Sequence, residues 1–246
     1  MIQPRERIEV FIVTHLGGMV SLPTANDEYL ETIREYVDFI NRQVGVYMDA
    51  ISGFAGNKTR IEFQTARVRR RHRAGKDTDG ANVMVSSSLE DPNSPDVILN
   101  RISRSVDYIA DNSEKGFNEQ QQAQAIIVFM FAYWDEEIRP RLAKAKHFSS
   151  PNEISVDAFG DLRLLRRAII HNKGNLTATL HGKLKVMQDL FLADADVRPS
   201  HEDMHQLFIR AKQGLAKLIV DHVGPRPGSP DPTDVKDLAI TRSRTR

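Results

Sequence analysis

The run Ala125-Ile-Ile-Val-Phe-Met-Phe-Ala-Tyr-Trp134 constrains the fold of this chain more than any other feature. It continues a helical pattern that starts near residue 118. A helix that is apolar on nearly all sides is buried on nearly all sides, so this segment is predicted to be the central element. Pro140 and the turn chemistry of Phe148-Ser-Ser-Pro-Asn152 are expected to end that region.

Other segments carry helical spacing around it. Asn26-Asp27 reads as an N-cap, followed by Leu30, Ile33, Val37, Ile40, Val44 and Met48 at helical intervals as far as about residue 51. Gly53 and Gly56 predict an interruption there, with a second helical stretch running from Lys58 into an arginine-rich segment. Residues 74–95 have loop chemistry and little to bury, with a hint of strand at Val83–Val85. Ile98, Ile102, Val106 and Ile109 restore a helical period from about residue 96. Further helices are expected over about 154–173, over 184–192 and from Ser200 to about His222. The tail from Gly224 has no apolar period and reads as disordered. The organisation that follows is a helical arm within 1–73, a mobile loop or linker over 74–95, a helical bundle over 96–223 and a tail over 224–246. The fold class is all-α, with strand signals otherwise confined to the first twenty residues.

Composition narrows the function classes. The 246 residues are 40% hydrophobic and 27% charged, an ordinary balance for a soluble globular protein. A formal charge of +1 gives no global attraction to nucleic acid, so binding of that kind must rest on local patches. The absence of cysteine removes disulfides and thiolate metal sites. The apolar run near residues 10–16 is too short and too interrupted, by His15 among others, for a signal peptide. No segment approaches the roughly 20 apolar residues of a transmembrane span. The expected location is the cytoplasm, with no membrane association.

Residues 159–174, Phe-Gly-Asp-Leu-Arg-Leu-Leu-Arg-Arg-Ala-Ile-Ile-His-Asn-Lys-Gly, carry the chemistry. With Leu162 at zero and about 100° per residue, Leu164, Leu165, Ala168 and Ile169 fall on an apolar arc of roughly 200° to 340°. Arg163, Arg167 and His171 form a contiguous basic strip at about 100°, 140° and 180°, while Arg166 lies at about 40° on the opposite flank. His-Asn-Lys-Gly reads as a helix end, with Gly174 as the left-handed residue after the cap and Asn172 in a supporting place beside His171. A strip of this kind binds phosphate, and an imidazole beside a guanidinium suits RNA cleavage. The histidine moves a proton to or from the ribose 2′-hydroxyl or the leaving 5′-oxygen, and an arginine stabilises the phosphorane. No cofactor or metal is needed, because the ribose supplies the nucleophile. The bland reading of the same residues is a solvated helix face with a capping histidine.

Arg166, four residues, then His171 resembles the Arg-x(4–6)-His signature of HEPN domains, helical proteins acting on nucleotides and RNA. The stretch from Asp161 to Gly174 resembles the bacterial HEPN nucleases of defence and toxin systems. The likeness covers one helix closely and roughly 130 residues through the order of helices. It implies a metal-independent endoribonuclease with Arg166 and His171 as catalytic residues. It also implies a homodimer whose sites face one another, and an antitoxin or other defence-system partner. Active members of the family usually carry Asn, Asp or His just after the motif arginine, where this chain has Arg167. That departure favours the alternative, a non-catalytic helical module binding RNA, nucleotide or a protein partner. The family spacing singles out Arg166 and helix geometry singles out Arg163 and Arg167, with Lys173 nearby as a further phosphate contact.

Three other constellations carry less. His201-Glu-Asp-Met-His205 satisfies a zinc-hydrolase pattern literally, but Ser200 with Asp203 reads as a helix N-cap, which puts both histidines at a helix start without a third ligand. Arg67-Val-Arg-Arg-Arg-His-Arg73, with Arg69, Arg70 and Arg71 at its centre, is a phosphate footprint without an interleaved aromatic, so base stacking is not expected. Glu136, after the apolar run, is the acid best placed by sequence to orient the motif arginine or histidine.

Overall fold

A computed structural model describes residues 27–72, 83–87 and 101–224. The expected N-terminal strand and C-terminal tail lie outside the described residues. The fold is all-α. In chain order it comprises α1 (Glu28–His72), β1 (Met84–Ser87), β2 (Arg101–Arg104), α2 (Ser105–Asp111), α3 (Phe117–Tyr133), α4 (Arg139–Ala145), α5 (Asp157–His171), β3 (Asn175–Leu176), α6 (Ala178–His181), β4 (Ala195–Asp196) and α7 (His201–Val223). A π-helical turn, Trp134–Ile138, joins α3 to α4, and single 3-10 turns cover Pro151–Glu153 and Gln188–Leu190. The chain packs as two compact units. One takes residues 1–44 and 126–246, the other residues 45–125.

The first unit is built around Tyr36 on α1. Its ring lies 5.3 to 6.0 Å from the rings of Phe39, Tyr133, Trp134 and Phe159, and its hydroxyl donates to the Met130 carbonyl at 2.6 Å. Burial pushes the phenol well above its usual range. Trp134 in turn stacks on Phe159 of α5, with centroids 4.1 Å apart. Asp27 caps α1, accepting from the N–H groups of Tyr29 and Leu30, and its other oxygen meets His222 near the end of α7 at 2.7 Å. The expected central helix is thus at the centre, although it is not covered all round. Ile126, Ile127, Met130, Phe131 and Trp134 are buried, while Phe129 is 53% exposed.

Helix formation continues past Pro140, which sits in the first turn of α4 rather than ending the region. Proline lacks only a donor that a first-turn residue need not use, and the π turn before it absorbs the change of register.

In the second unit, Tyr47, Ile61 and Thr65 of α1 are buried. The Tyr47 hydroxyl and the Lys115 N–H both donate to Glu119 of α3, at 3.2 and 2.6 Å. The expected break at Gly53 and Gly56 does not occur, and α1 runs unbroken for 45 residues. The buried period passes through 47, 61 and 65 without a phase shift. Each glycine costs only about 1 kcal/mol against alanine, which that packing outweighs. The helix predicted from residue 96 is also displaced. Residues 101–104 form a strand paired antiparallel with 84–87, Met84 opposite Arg104 and Ser87 opposite Arg101. Ile102, part of the apparent helical period, is 57% exposed. The strand hint at Val83–Val85 was the better guide, and the Ser105 N–H closes the motif on the Val83 carbonyl at 2.7 Å.

The glycines of this unit separate by sign. A Cβ on Gly116 would lie 2.7 Å from the carbonyl oxygens of Asp111 and Ser113, whereas one on Gly53 or Gly56 would meet nothing. Gly116→Ala should therefore destabilise by about 1–3 kcal/mol. Gly53→Ala and Gly56→Ala should each stabilise by about 0.5–1 kcal/mol. Urea denaturation midpoints read both signs, and a neutral Gly116→Ala would contradict the packing.

Stability should also fall in acid. His222 holds Asp27 below the usual carboxylate range, the Tyr133 hydroxyl and then Arg141 hold Glu35 there, and Arg210 does so for Asp189. A carboxylate lowered on folding contributes stability above its unfolded value, about 4, and loses it as pH falls through the folded one. Thermal midpoints measured from neutral pH downward should drop across that range, and Asp27→Asn should flatten the curve.

Candidate nucleic-acid interface

The strip predicted from sequence lies on α5, whose bounds, Asp157–His171, fall inside the expected 154–173. Ala158, Phe159, Leu162, Leu165 and Ala168 are buried, so the apolar arc faces the core. Phe159 stacks on Trp134, and the Arg166 guanidinium lies 5.9 Å from the Phe131 ring centroid. Residue numbers rise along α5 as they fall along α3, so the two helices pack antiparallel.

That direction corrects the role expected of Glu136. It sits beyond Trp134, level with the start of α5, while His171 is at the other end, about 20 Å away along the axis at 1.5 Å per residue. Glu136 is exposed, and no hydrogen bond or ion pair joins it to Arg166 or His171 among the described residues.

Arg163, Arg167 and His171 are exposed at one-turn spacings along a regular helix, and so share a face. Among the described residues none of the three has a hydrogen bond or ion pair. Several other arginines of this unit are neutralised, although Arg34 and Arg42 of α1 also lack an ion pair among the described residues. Arg139 pairs with Asp135 at 3.2 Å, Arg141 with Glu35 at 2.8 Å and Arg198 with Asp196 at 2.9 Å, while Arg210 clasps Asp189 through both terminal nitrogens. The charge of the strip is left uncompensated. Arg166 is half-buried on another flank, about 140° from His171 around the helix.

The helix closes at Asn172, whose N–H donates to the Ala168 carbonyl at 3.1 Å, as does that of Gly174 at 3.0 Å. Gly174 has the expected positive φ of 91°, but exposed Lys173 is left-handed as well, at 55°. Two such residues in succession turn the chain directly into β3.

Arg69, Arg70 and Arg71 close α1 in the second unit, with Arg70 exposed and Arg69 engaged in a contact of its own. His201 and His205 stand exposed on the first two turns of α7, which Ser200 and Asp203 cap reciprocally. Among the described residues no group of three His, Cys, Asp or Glu is arranged to hold a metal ion, and no helix is long and apolar enough to cross a membrane.

The residue that sequence reasoning passed over is Asp161. It is 1% exposed, and its carboxylate accepts from the backbone N–H groups of Lys185, Val186 and Met187 at 2.8 to 3.0 Å. Burial pushes its carboxyl up and the three N–H groups pull it down. This capture explains why residues 184–192 are not the helix expected of them. Leu184, Met187 and Phe191 keep helical spacing and are buried, but three of the N–H groups between them point at a carboxylate. A signal was available. On the same helical wheel Asp161 falls at about 260°, in the middle of the apolar arc, where an acid must find donors.

Comparison with family models, curated proteins and solved structures gives no match for this chain.

Asp161→Ala strands three buried donors and should cost about 2–4 kcal/mol. Asp161→Asn should not rescue it, because the amide brings two more donors to a site already made of donors. Denaturation midpoints of the two variants measure this. An Asn variant as stable as the parent would show that the N–H groups do not depend on the carboxylate.

Proposed function

We propose that this chain acts on RNA as a metal-independent endoribonuclease of the type that its Arg-x(4)-His resemblance implies. The observation that carries the reading is the exposed, uncompensated strip of Arg163, Arg167 and His171 at the end of a firmly packed helix. An array of cations at one-turn spacing suits a phosphodiester, and a rigid helix holds them in place without reorganisation.

In the reaction the ribose 2′-oxygen attacks the adjacent phosphorus and the bond to the 5′-oxygen breaks. The products are a 2′,3′-cyclic phosphate and a 5′-hydroxyl. The 2′-hydroxyl loses one proton and the leaving oxygen gains one, and His171 serves that transfer. Within one protomer Arg167 is the guanidinium one turn from His171, with Arg163 and Lys173 positioning neighbouring phosphates. Arg166, held over Phe131, reaches a phosphate lodged against the His171 of a second copy, and so gives the homodimer a chemical purpose. The setting is a defence or toxin system with a restraining partner, on resemblance alone. Arg167 in place of a small polar residue favours a second reading, a helical module that binds RNA, nucleotide or a protein partner without cutting.

Total RNA incubated at low salt in excess EDTA tests both. Wild-type protein should cleave, and His171→Ala should lower the rate about 100-fold or more. Intact RNA with a folded, dimeric wild type would sink the nuclease reading and leave the binding module.

A further inference from the structure

We infer that the solvent face of α1 between residues 52 and 70 is a second binding surface, one that takes single-stranded RNA by combining phosphate contacts with base stacking. The surface lies on a different helix from the proposed cleavage strip and does not depend on cleavage.

The inference rests on α1 being continuous. With Phe63 at zero, Gly56, Arg60, Arg67 and Arg70 fall at about 20°, 60°, 40° and 340°, a single face. Buried Ile61 and Thr65 fall opposite, at about 160° and 200°. The arginine run lacks an aromatic within itself. The unbroken helix supplies one, because Phe63 stands one turn before Arg67 on the same face.

Phe63 is 69% exposed, which leaves the faces of its ring to solvent. Arg67 and Arg70 are exposed and without an ion pair or hydrogen bond among the described residues. Among the same residues Arg60 has only a long contact of 3.4 Å to Asn57. The nearest acid in sequence, Glu62, falls at about 260° and pairs with Lys58 at 4.0 Å, away from this face. No acidic residue occupies the face between 52 and 70. Upstream, Gly53 and Gly56 leave the backbone bare. An aromatic ring flanked by uncompensated guanidinium groups fits a polyanion that also offers planar faces. Unpaired RNA does so, whereas a duplex keeps its base faces stacked.

The test uses the full chain and a single strand of about 12 nucleotides, within the usual range of site sizes. The strand is 2′-O-methylated, so that no cleavage can occur, and binding is read by fluorescence anisotropy. Phe63→Ala should weaken binding about 10-fold or more, and Phe63→Trp should retain it. Arg67→Gln with Arg70→Gln should flatten the salt dependence by about 1.4, at roughly 0.7 per phosphate contact. A duplex of the same sequence should be indifferent to Phe63→Ala. All these changes lie on a solvent face, so circular dichroism should be unaltered. Unchanged affinity of Phe63→Ala for the single strand would overturn the inference. So would an equal loss toward a polyglutamate peptide, which would mark an acidic-protein site instead. Failure of the nuclease reading is separable: the strand cannot be cleaved, so the loss in Phe63→Ala is read whether or not the protein cuts RNA.

Discussion

The stack of Trp134 on Phe159, with Tyr36 edge-on to Phe159 and bonded to the Met130 carbonyl, is the interaction on which the rest of the first unit depends. Three helices meet there, and the contact is too specific in geometry to slide. Aromatic pairs favour particular offsets, and a buried phenol needs its one partner. Fixing Phe159 against Trp134 sets the register of α5 on α3. That register brings Arg166 to Phe131, sends His171 to the end of α5 remote from Glu136, and turns Arg163 and Arg167 outward. The strip is therefore a consequence of core packing. It needs no polar contact of its own to hold its shape, which is why its cations remain available.

Asp161 makes the complementary contribution. Burying a carboxylate is costly unless hydrogen bonds replace its water, and three consecutive N–H groups do so. The same bonds take a segment with helical apolar spacing and hold it as a loop, so that Leu184, Met187 and Phe191 enter the core while Lys183 and Lys185 stay outside. Lys185 then pairs with Asp157 at 2.7 Å, and Arg210 of α7 closes on Asp189 and on the Val186 carbonyl. One buried acid thus couples α5, the loop and α7. Asp157 and Asp189 are thereby both held in ion pairs, with Lys185 and Arg210.

Legibility in the sequence follows the range of the interaction. Ser200 and Asp203 interact across three residues, and the helix start they mark was readable. The outward face of α5 was readable too, because its apolar arc repeats with the helical period. What failed was decided at long range or by exceptions to local rules. The acceptor for the N–H groups of residues 185–187 lies 24 to 26 residues upstream, so periodicity alone gave a helix. Gly53 and Gly56 looked like breakers because propensity was weighed without the buried period continuing past them. Pro140 looked like a terminator because the π turn that accommodates it leaves no composition signal. The basic strip was found from sequence, but its separation from Glu136 required the antiparallel register of α3 and α5.

The unbroken course of α1 has the widest consequence. A break at Gly53 would have let the chain re-enter at any angle, and the phase between Tyr47 and Arg70 would have been lost. Continuity preserves it, so the turn that buries Ile61 also commits Phe63, Arg67 and Arg70 to water on the other side. With a formal charge of only +1, the chain has no excess of cations to spread over its surface. Among the described residues its uncompensated arginines lie on α1 and α5, while other arginines are tied to carboxylates. Long-range attraction between a nearly neutral protein and a polyanion is weak, so recognition must come from such local faces, in which the spacing of charges is set by a helix and not by flexible loops. On the function proposed above, two helical stripes, and no global charge, are what would engage a phosphodiester.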